Sequence, residues 1–233
     1  MKAAGRQMCK TIRALTPAAG FGSKVGMAQI HGHLGVVILG AGASARMGRP
    51  KLLLPWRGTT VAGHLLAQWR ETGAGQIAVV LRSNDTALAA ELDRLNVPKP
   101  DRIENPQPER GMFSSIVCAA NWHGWRREIS SWAIVLGDQP HLRPETLRQL
   151  LEFSVQNKDA ICQPAFGGRL GHPVILPRQT FMELKNSAAA TLKDFLKPAA
   201  APRVQCSVAD AGLSLDLDTP EDYKRLTNSH QSV

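Results

Sequence analysis

The sequence is poor in aromatic residues: Phe, Trp and Tyr together make 5% of the chain, with a single Tyr. A stacking platform for single-stranded nucleic acid is therefore poorly supported. Cysteine is scarce as well. Cys9, Cys118, Cys162 and Cys206 lie far apart, and no pair has a C-x-x-C spacing, so neither a zinc site nor a dithiol redox motif is indicated. Isolated thiols of this kind suit a reducing, cytoplasmic setting and small buried apolar positions. No uninterrupted apolar run approaches the roughly 18 residues that span a bilayer, so no membrane partner is expected. Acid is missing where it would be most informative: no Asp or Glu precedes Glu71.

The charge balance is instead +9 over 233 residues. That excess suits anionic ligands without choosing among them. Residues 1–33 carry Lys2, Arg6, Lys10, Arg13 and Lys24, and lack the apolar core of a secretory signal. They read as a flexible basic extension.

The most informative stretch is 36–55, VVILGAGASARMGRPKLLLP. The apolar run 34–39 is too short for a buried helix and reads as a buried strand. Five small residues follow, Gly40-Ala41-Gly42-Ala43-Ser44, and then Arg46, Arg49 and Lys51. Small residues let a backbone approach a ligand, and successive amides form an anion nest that nearby cations reinforce. A polyphosphate is the simplest ligand. A plain turn with solvated cations is the alternative, but Leu52-Leu53-Leu54 would bury and fix the Lys51 stem while its head faces the loop.

Two phosphate motifs need separate treatment. GAGASA fits the dinucleotide fingerprint G-x-G-x-x-G/A, which expects an acid about 20 residues further on; none is there. A Walker A loop is excluded because no G-K-[ST] follows the glycines.

Beyond the loop the pattern alternates. Strands are expected at 76–81, 102–104, 132–136, 160–163, 174–176, 204–208 and 213–217. Helices are expected at 60–71, 85–95 (with Ser83 or Asn84 as cap), 112–121, 144–156, 188–196, and from Pro220 with Thr219 as cap. This order predicts an α/β layer with a mainly parallel sheet, whose ligands sit at the carboxyl ends of strands. The Gly-rich loop and Asp138 both follow predicted strands, so one cleft can hold them together. Trp122, Trp125 and Trp132 read as core or rim residues.

The residues Leu39-Gly40-Ala41-Gly42-Ala43-Ser44-Ala45-Arg46-Met47-Gly48-Arg49-Pro50-Lys51 resemble the MobA-like nucleotidyltransferase signature L-A-[AG]-G-x-S-x-R-M-G-x-x-K. Gly40 replaces the usual Ala, an exchange that keeps the position small. Leu136-Gly137-Asp138-Gln139-Pro140, Gly171-His172-Pro173-Val174 and Asp216-Leu217-Asp218-Thr219-Pro220-Glu221-Asp222 match further family segments in order and spacing. The resemblance runs from about Val36 to Leu226. Ala41 and the LGDQP and GHPV segments are most similar to the molybdenum cofactor cytidylyltransferase branch.

The resemblance implies a three-layer Rossmann-like nucleotidyltransferase fold with a mainly parallel, mixed central sheet. It implies a single domain over 34–227, followed by a polar tail at 228–233. The implied reaction transfers CMP from CTP to a molybdopterin-type phosphate acceptor, with release of pyrophosphate and dependence on magnesium. A recipient molybdoenzyme would be the downstream partner, and no nucleic acid is involved. The nucleotide would be held by Leu39, Gly40, Ala41, Gly42, Ser44, Arg46, Met47, Gly48 and Lys51, with Arg46 and Lys51 stabilising charge on the phosphates. Asp138 and Asp218 would hold the metal, with Asp216 a weaker choice. Arg110, Gly111 and Ser115 would lie near base or ribose, and His172 near the acceptor. Each has a plain structural alternative. Asp138 is a turn residue, Asp218 a helix cap, Ser115 a packed or capping serine, and His172 a structural histidine; Glu221 and Asp222 read as first-turn acids. Guanylyl transfer, nucleotidyl transfer to a sugar or polyol phosphate, a dinucleotide-dependent oxidoreductase and a non-catalytic cofactor carrier remain as other readings.

Overall fold

A computed structural model describes residues 13–14 and 32–228. The expected extension at 1–33 otherwise lies outside the described residues, as does the expected tail beyond 228. Strands β1 to β11 are Arg13–Ala14, Leu34–Leu39, Pro55–Trp56, Thr59–Thr60, Gln76–Arg82, Arg102–Asn105, Ser131–Leu136, Ile161–Phe166, Arg169–Leu170, Val174–Pro177 and Arg203–Ser207. Helices α1 to α7 are Val61–Glu71, Thr86–Arg94, Met112–Asn121, Pro144–Gln156, Arg178–Glu183, Leu192–Leu196 and Pro220–Asn228.

The main sheet runs β1-β11-β8-β10-β7-β2-β5-β6, with β9 paired to β8. Its pairings are parallel except at β10, which is antiparallel to both β7 and β8, and at β9. Alternation along the strands supplies two apolar faces. In β2, Val36 and Ile38 join a cluster with Leu65, Leu66, Trp69, Leu88, Leu92, Leu150 and Leu226, drawn from α1, α2, α4 and α7. Val37 and Leu39 join the opposite cluster with Phe113, Ile116, Phe181, Leu192 and Leu196, from α3, α5 and α6. The result is a three-layer α/β architecture with a mixed, mainly parallel sheet, as the sequence led us to expect. Trp132 stacks on Phe181 at 4.2 Å between centroids with planes 4° apart, and Trp125 meets both edge-on. These tryptophans are packing residues.

The second half departs from the expectation in three places. The helix expected over 188–196 is only Leu192–Leu196, because Thr191 caps it by accepting from the Asp194 amide at 3.1 Å. A helix at Arg178–Glu183 has no counterpart in the sequence pattern; six residues directly after Pro177 are too few to show a period. The strand expected at 213–217 is instead a 3-10 turn, Ala211–Ser214, followed by extended chain. Asp210 imposes that turn, since its carboxylate accepts from the Gly212 amide at 2.9 Å and also from the Arg143 amide and the Thr146 hydroxyl. The cap of α2 is Asp85, which accepts from the Leu88 amide at 3.0 Å, and not Ser83 or Asn84.

Candidate active site

Strands β2 and β7 lie side by side in parallel, with Leu39 opposite Leu136. From β2 the chain proceeds to β5 on one side, while β7 continues the sheet on the other. The crevice where connections diverge is the ordinary ligand position in such sheets. The Gly-rich loop leaves β2 there, and Gly137-Asp138 leaves β7 beside it. A Cβ on Gly137 would stand 2.7 Å from the Leu39 carbonyl oxygen, so only glycine permits this approach.

Gly40 is held as closely. Its amide donates to the Val80 carbonyl at 2.7 Å, and a Cβ there would meet that oxygen at 2.9 Å and Leu52 Cδ1 at 2.8 Å. The position usually filled by alanine in the signature is thus sterically closed here. Gly40→Ala should destabilise the fold by about 1–3 kcal/mol, as overpacking does; an unchanged denaturation midpoint would refute this packing account. Because the Gly40 amide serves the sheet, it is withdrawn from the nest expected over 40–48. The amides of Met47 and Gly48 close local turns onto Ser44 and Ala45. The amides of Ala41 to Arg46 have no acceptor among the described residues, and these six are the ones left for an anion.

The loop is pinned at both ends. Met47 and Ala41 are buried in the core, so they anchor it and offer no side chain to a ligand. Ser44 adopts a left-handed φ of 49°, and its hydroxyl accepts from the Lys51 amide at 3.1 Å. Leu52 and Leu54 are buried, which fixes the Lys51 backbone. The Lys51 head, however, faces carboxylates more than the loop. Its ammonium hydrogen-bonds Asp218 Oδ1 and lies 3.6 Å from Asp138 Oδ2. Arg46 Nη2 is 2.6 Å from Asp218 Oδ2. Arg49 lies outside this cluster, 5.8 Å from the Tyr223 ring centroid.

Asp138 and Asp218 come together through the backbone, since the Leu217 amide donates to the Asp138 carbonyl at 2.9 Å. Asp218 is therefore not the helix cap. Thr219 fills that role reciprocally with Asp222: the Thr219 hydroxyl accepts from the Asp222 amide, and the Asp222 carboxylate accepts from the Thr219 amide. Burial pushes the Asp138 carboxyl above its ordinary value, Lys51 opposes the shift, and Asp216 and Asp218 add to it. Asp138 Oδ1 is buried with no hydrogen-bond partner among the described residues. Asp216 stands to one side, accepting from Gln139 Nε2 at 2.9 Å.

Such a carboxylate pair fits a hard divalent cation. Among the described residues no group of three or more His, Cys, Asp or Glu forms a metal cluster. Magnesium, however, needs one or two carboxylates and takes its remaining oxygens from water and phosphate. The partnerless Asp138 Oδ1 is the kind of atom that such an ion satisfies.

Ser115 and His172 are turned into the protein and not toward this cleft. Ser115 is 4% exposed and its Oγ accepts from Asn105 Nδ2 at 3.0 Å, so it is a packed serine. Arg110 is exposed in a 3-10 turn and donates to Gln107 Oε1; Gly111, with φ 88°, starts α3. His172 is turned inward, and its Nε2 is buried without a partner among the described residues. Burial pushes its pKa down to about 4, while Asp216 pulls it upward. A histidine kept neutral by the fold contributes stability that is full above the ordinary value near 6.5 and is lost as pH falls through that window. The thermal midpoint should thus fall more between pH 7 and pH 5 in the parent than in His172→Gln. Equal falls would count against the assignment.

Arg82 was not singled out by the sequence. It ends β5, and its Nη2 donates to the Ala41 carbonyl at 3.1 Å. Its place as the last residue of a buried strand, at the ligand end, was the available signal. Arg82, Asn84, Gly42 and Arg49 line a hollow of about 450 Å³ on the β5 flank of the loop, whereas the carboxylates lie on the β7 flank. A larger hollow of about 960 Å³ opens at the opposite end of the sheet, beside Leu34, Ser131 and Pro177. It is remote from this cluster.

Comparison with known proteins bears on the family and the fold. A model of the MobA-like NTP transferase domain matches residues 36–204. The molybdenum cofactor cytidylyltransferase of Escherichia coli (strain K12) is 23% identical over 188 residues, covering 80% of this chain and 92% of its own. The nicotine blue oxidoreductase of Paenarthrobacter nicotinovorans is 29% identical over 206 residues, covering 82% and 94%. The crystal structure of Rv0371C complex with manganese, from Mycobacterium tuberculosis H37Rv, has a TM-score of 0.61 at 27% identity, covering 84% of this chain and 99% of that one.

Proposed function

The chain belongs to the MobA-like NTP transferase family, and from that premise we propose that it transfers CMP from CTP to a molybdopterin-type phosphate acceptor and releases pyrophosphate. The observation that carries the reading is the juxtaposition, at the crevice between β2 and β7, of a loop with free amides, two cations and a carboxylate pair. An oxygen of the acceptor's terminal phosphate attacks the α-phosphorus. The bond from that phosphorus to the bridging oxygen of the β-phosphate breaks, and pyrophosphate carries the electron pair away. Both reactants are anions, so the protein must offset their repulsion and hold them in line.

The Ala41–Ser44 amides cradle the triphosphate, and Lys51 and Arg46 neutralise charge as it moves toward the leaving group. The hollow on the β5 flank receives the base and ribose in place of Ser115. Asp138 and Asp218 would hold magnesium, or the manganese seen with the mycobacterial relative, and that ion supplies further positive charge to the phosphate oxygens. Ala41 and the similarity to the Escherichia coli cytidylyltransferase favour CTP and the molybdopterin acceptor over GTP or a sugar phosphate.

A second reading has an observation of its own, the relative named an oxidoreductase. The strand order β6-β5-β2-β7 is also that of dinucleotide-binding halves. Against it, the second strand ends in Arg82 where a ribose-binding acid would stand, and a dinucleotide turn has no use for the Lys51–Asp218 pair. A pyrophosphate-release screen of CTP, GTP, ATP and UTP with molybdopterin present tests reaction and base together. Release with CTP is the expected result. Release with GTP alone would move the chain to guanylyl transfer, and no release with nicotinamide or flavin bound would favour the oxidoreductase.

A further inference from the structure

Lys51 stands where a cation between Asp138 and Asp218 would stand. Its ammonium hydrogen-bonds one oxygen of Asp218 and is 3.6 Å from Asp138 Oδ2, while Arg46 covers the other oxygen of Asp218. Three of the four carboxylate oxygens therefore already face positive charge supplied by the chain. The fourth, Asp138 Oδ1, has no partner among the described residues. A divalent ion entering this arrangement meets an ammonium and a guanidinium at close range, with the pocket partly shielded from water and the repulsion correspondingly strong. The Lys51 backbone is fixed by Ser44 and by the burial of Leu52, but four methylenes separate it from the ammonium. Rotation about the side-chain bonds alone would carry the head toward the loop while the backbone stays in place.

We propose that Lys51 is a resident counter-cation that excludes the divalent ion from the ligand-free protein, and that the nucleoside triphosphate opens the metal site by drawing the ammonium onto its phosphates. The inference rests on the nucleotidyl-transfer reading and adds an order to it. Metal and nucleotide enter as a coupled pair, and each raises the affinity for the other by the same factor. The loop's cations thus have two successive partners, first the carboxylates and then the phosphates.

The test counts bound Mn²⁺ from the loss of the free-ion electron paramagnetic resonance signal, using the full chain with and without α,β-methylene-CTP. The parent should bind Mn²⁺ weakly alone and on the order of tenfold or more tightly with the analogue, within the usual range of coupling between sites. Lys51→Met should bind Mn²⁺ alone on the order of tenfold more tightly than the parent and gain little from the analogue. Arg46→Ala should shift the same way by a smaller factor. Its side chain is 72% exposed, so that variant keeps its packing and decides the matter if Lys51→Met does not fold. If neither variant binds Mn²⁺ alone more tightly than the parent, the proposal is wrong. Asp138→Asn separates the two levels. Loss of Mn²⁺ there, with Lys51→Met and Arg46→Ala unchanged from the parent, overturns the exclusion and leaves the metal site standing; undiminished Mn²⁺ binding in Asp138→Asn overturns the metal site itself.

Discussion

Asp138→Asn should slow pyrophosphate release by about a hundredfold or more at saturating nucleotide, with the fold intact. The magnitude is that of losing one preorganised charged group aimed at a reacting centre. The fold should survive because ionised Asp138 does not stabilise it. Burial and its carboxylate neighbours raise its pKa, so the contribution of this group is full at low pH and lost as pH rises through the folded value. At neutral pH an amide of the same shape removes a desolvated charge, though it also removes one of the two carboxylates beside Lys51. The thermal midpoint should accordingly change by a few degrees at most, while turnover collapses. Near-normal release from a folded variant would reject the site.

Lys51→Met should reduce turnover by a comparable factor, about a hundredfold or more, for a different reason. Methionine keeps much of the stem's volume against Leu52 and loses the charge. Asp138 and Asp218 are then left facing each other with only Arg46 to neutralise them, so this variant should also lose stability, most visibly at low ionic strength. Lys51→Arg tests whether charge alone suffices. A planar guanidinium cannot reproduce a compact ammonium placed between two carboxylates, so rescue should be partial. Full activity in Lys51→Met, measured as pyrophosphate release beside a circular dichroism spectrum, would remove the lysine from the mechanism.

What the sequence made legible was local. A short apolar run followed by small residues and cations predicts a strand and a loop, and both stand there. The rule that ligands gather at strand ends puts Asp138 near the loop, and there it stands, although it is 87 positions from Lys51. What stayed hidden depended on long-range contacts. Nothing local says that Asp210 reaches Arg143 and Thr146, and this converts an expected strand into the turn that delivers Asp218. Nothing local turns Ser115 inward onto Asn105. The need for glycine at position 40 comes from Val80 and Leu52, each set by another element's packing. Short helices directly after prolines, such as Arg178–Glu183, carry too few residues to reveal a period.

Lys51 and Asp218 are 167 positions apart in the chain. A ribosome therefore delivers the basic loop long before its acidic counterpart. A polypeptide halted before residue 218 lacks the carboxylate that pairs with both Lys51 and Arg46 and keeps only Asp138 beside the lysine. Charge balance around the basic loop is therefore reached only once the segment carrying Asp218 has folded back beside it.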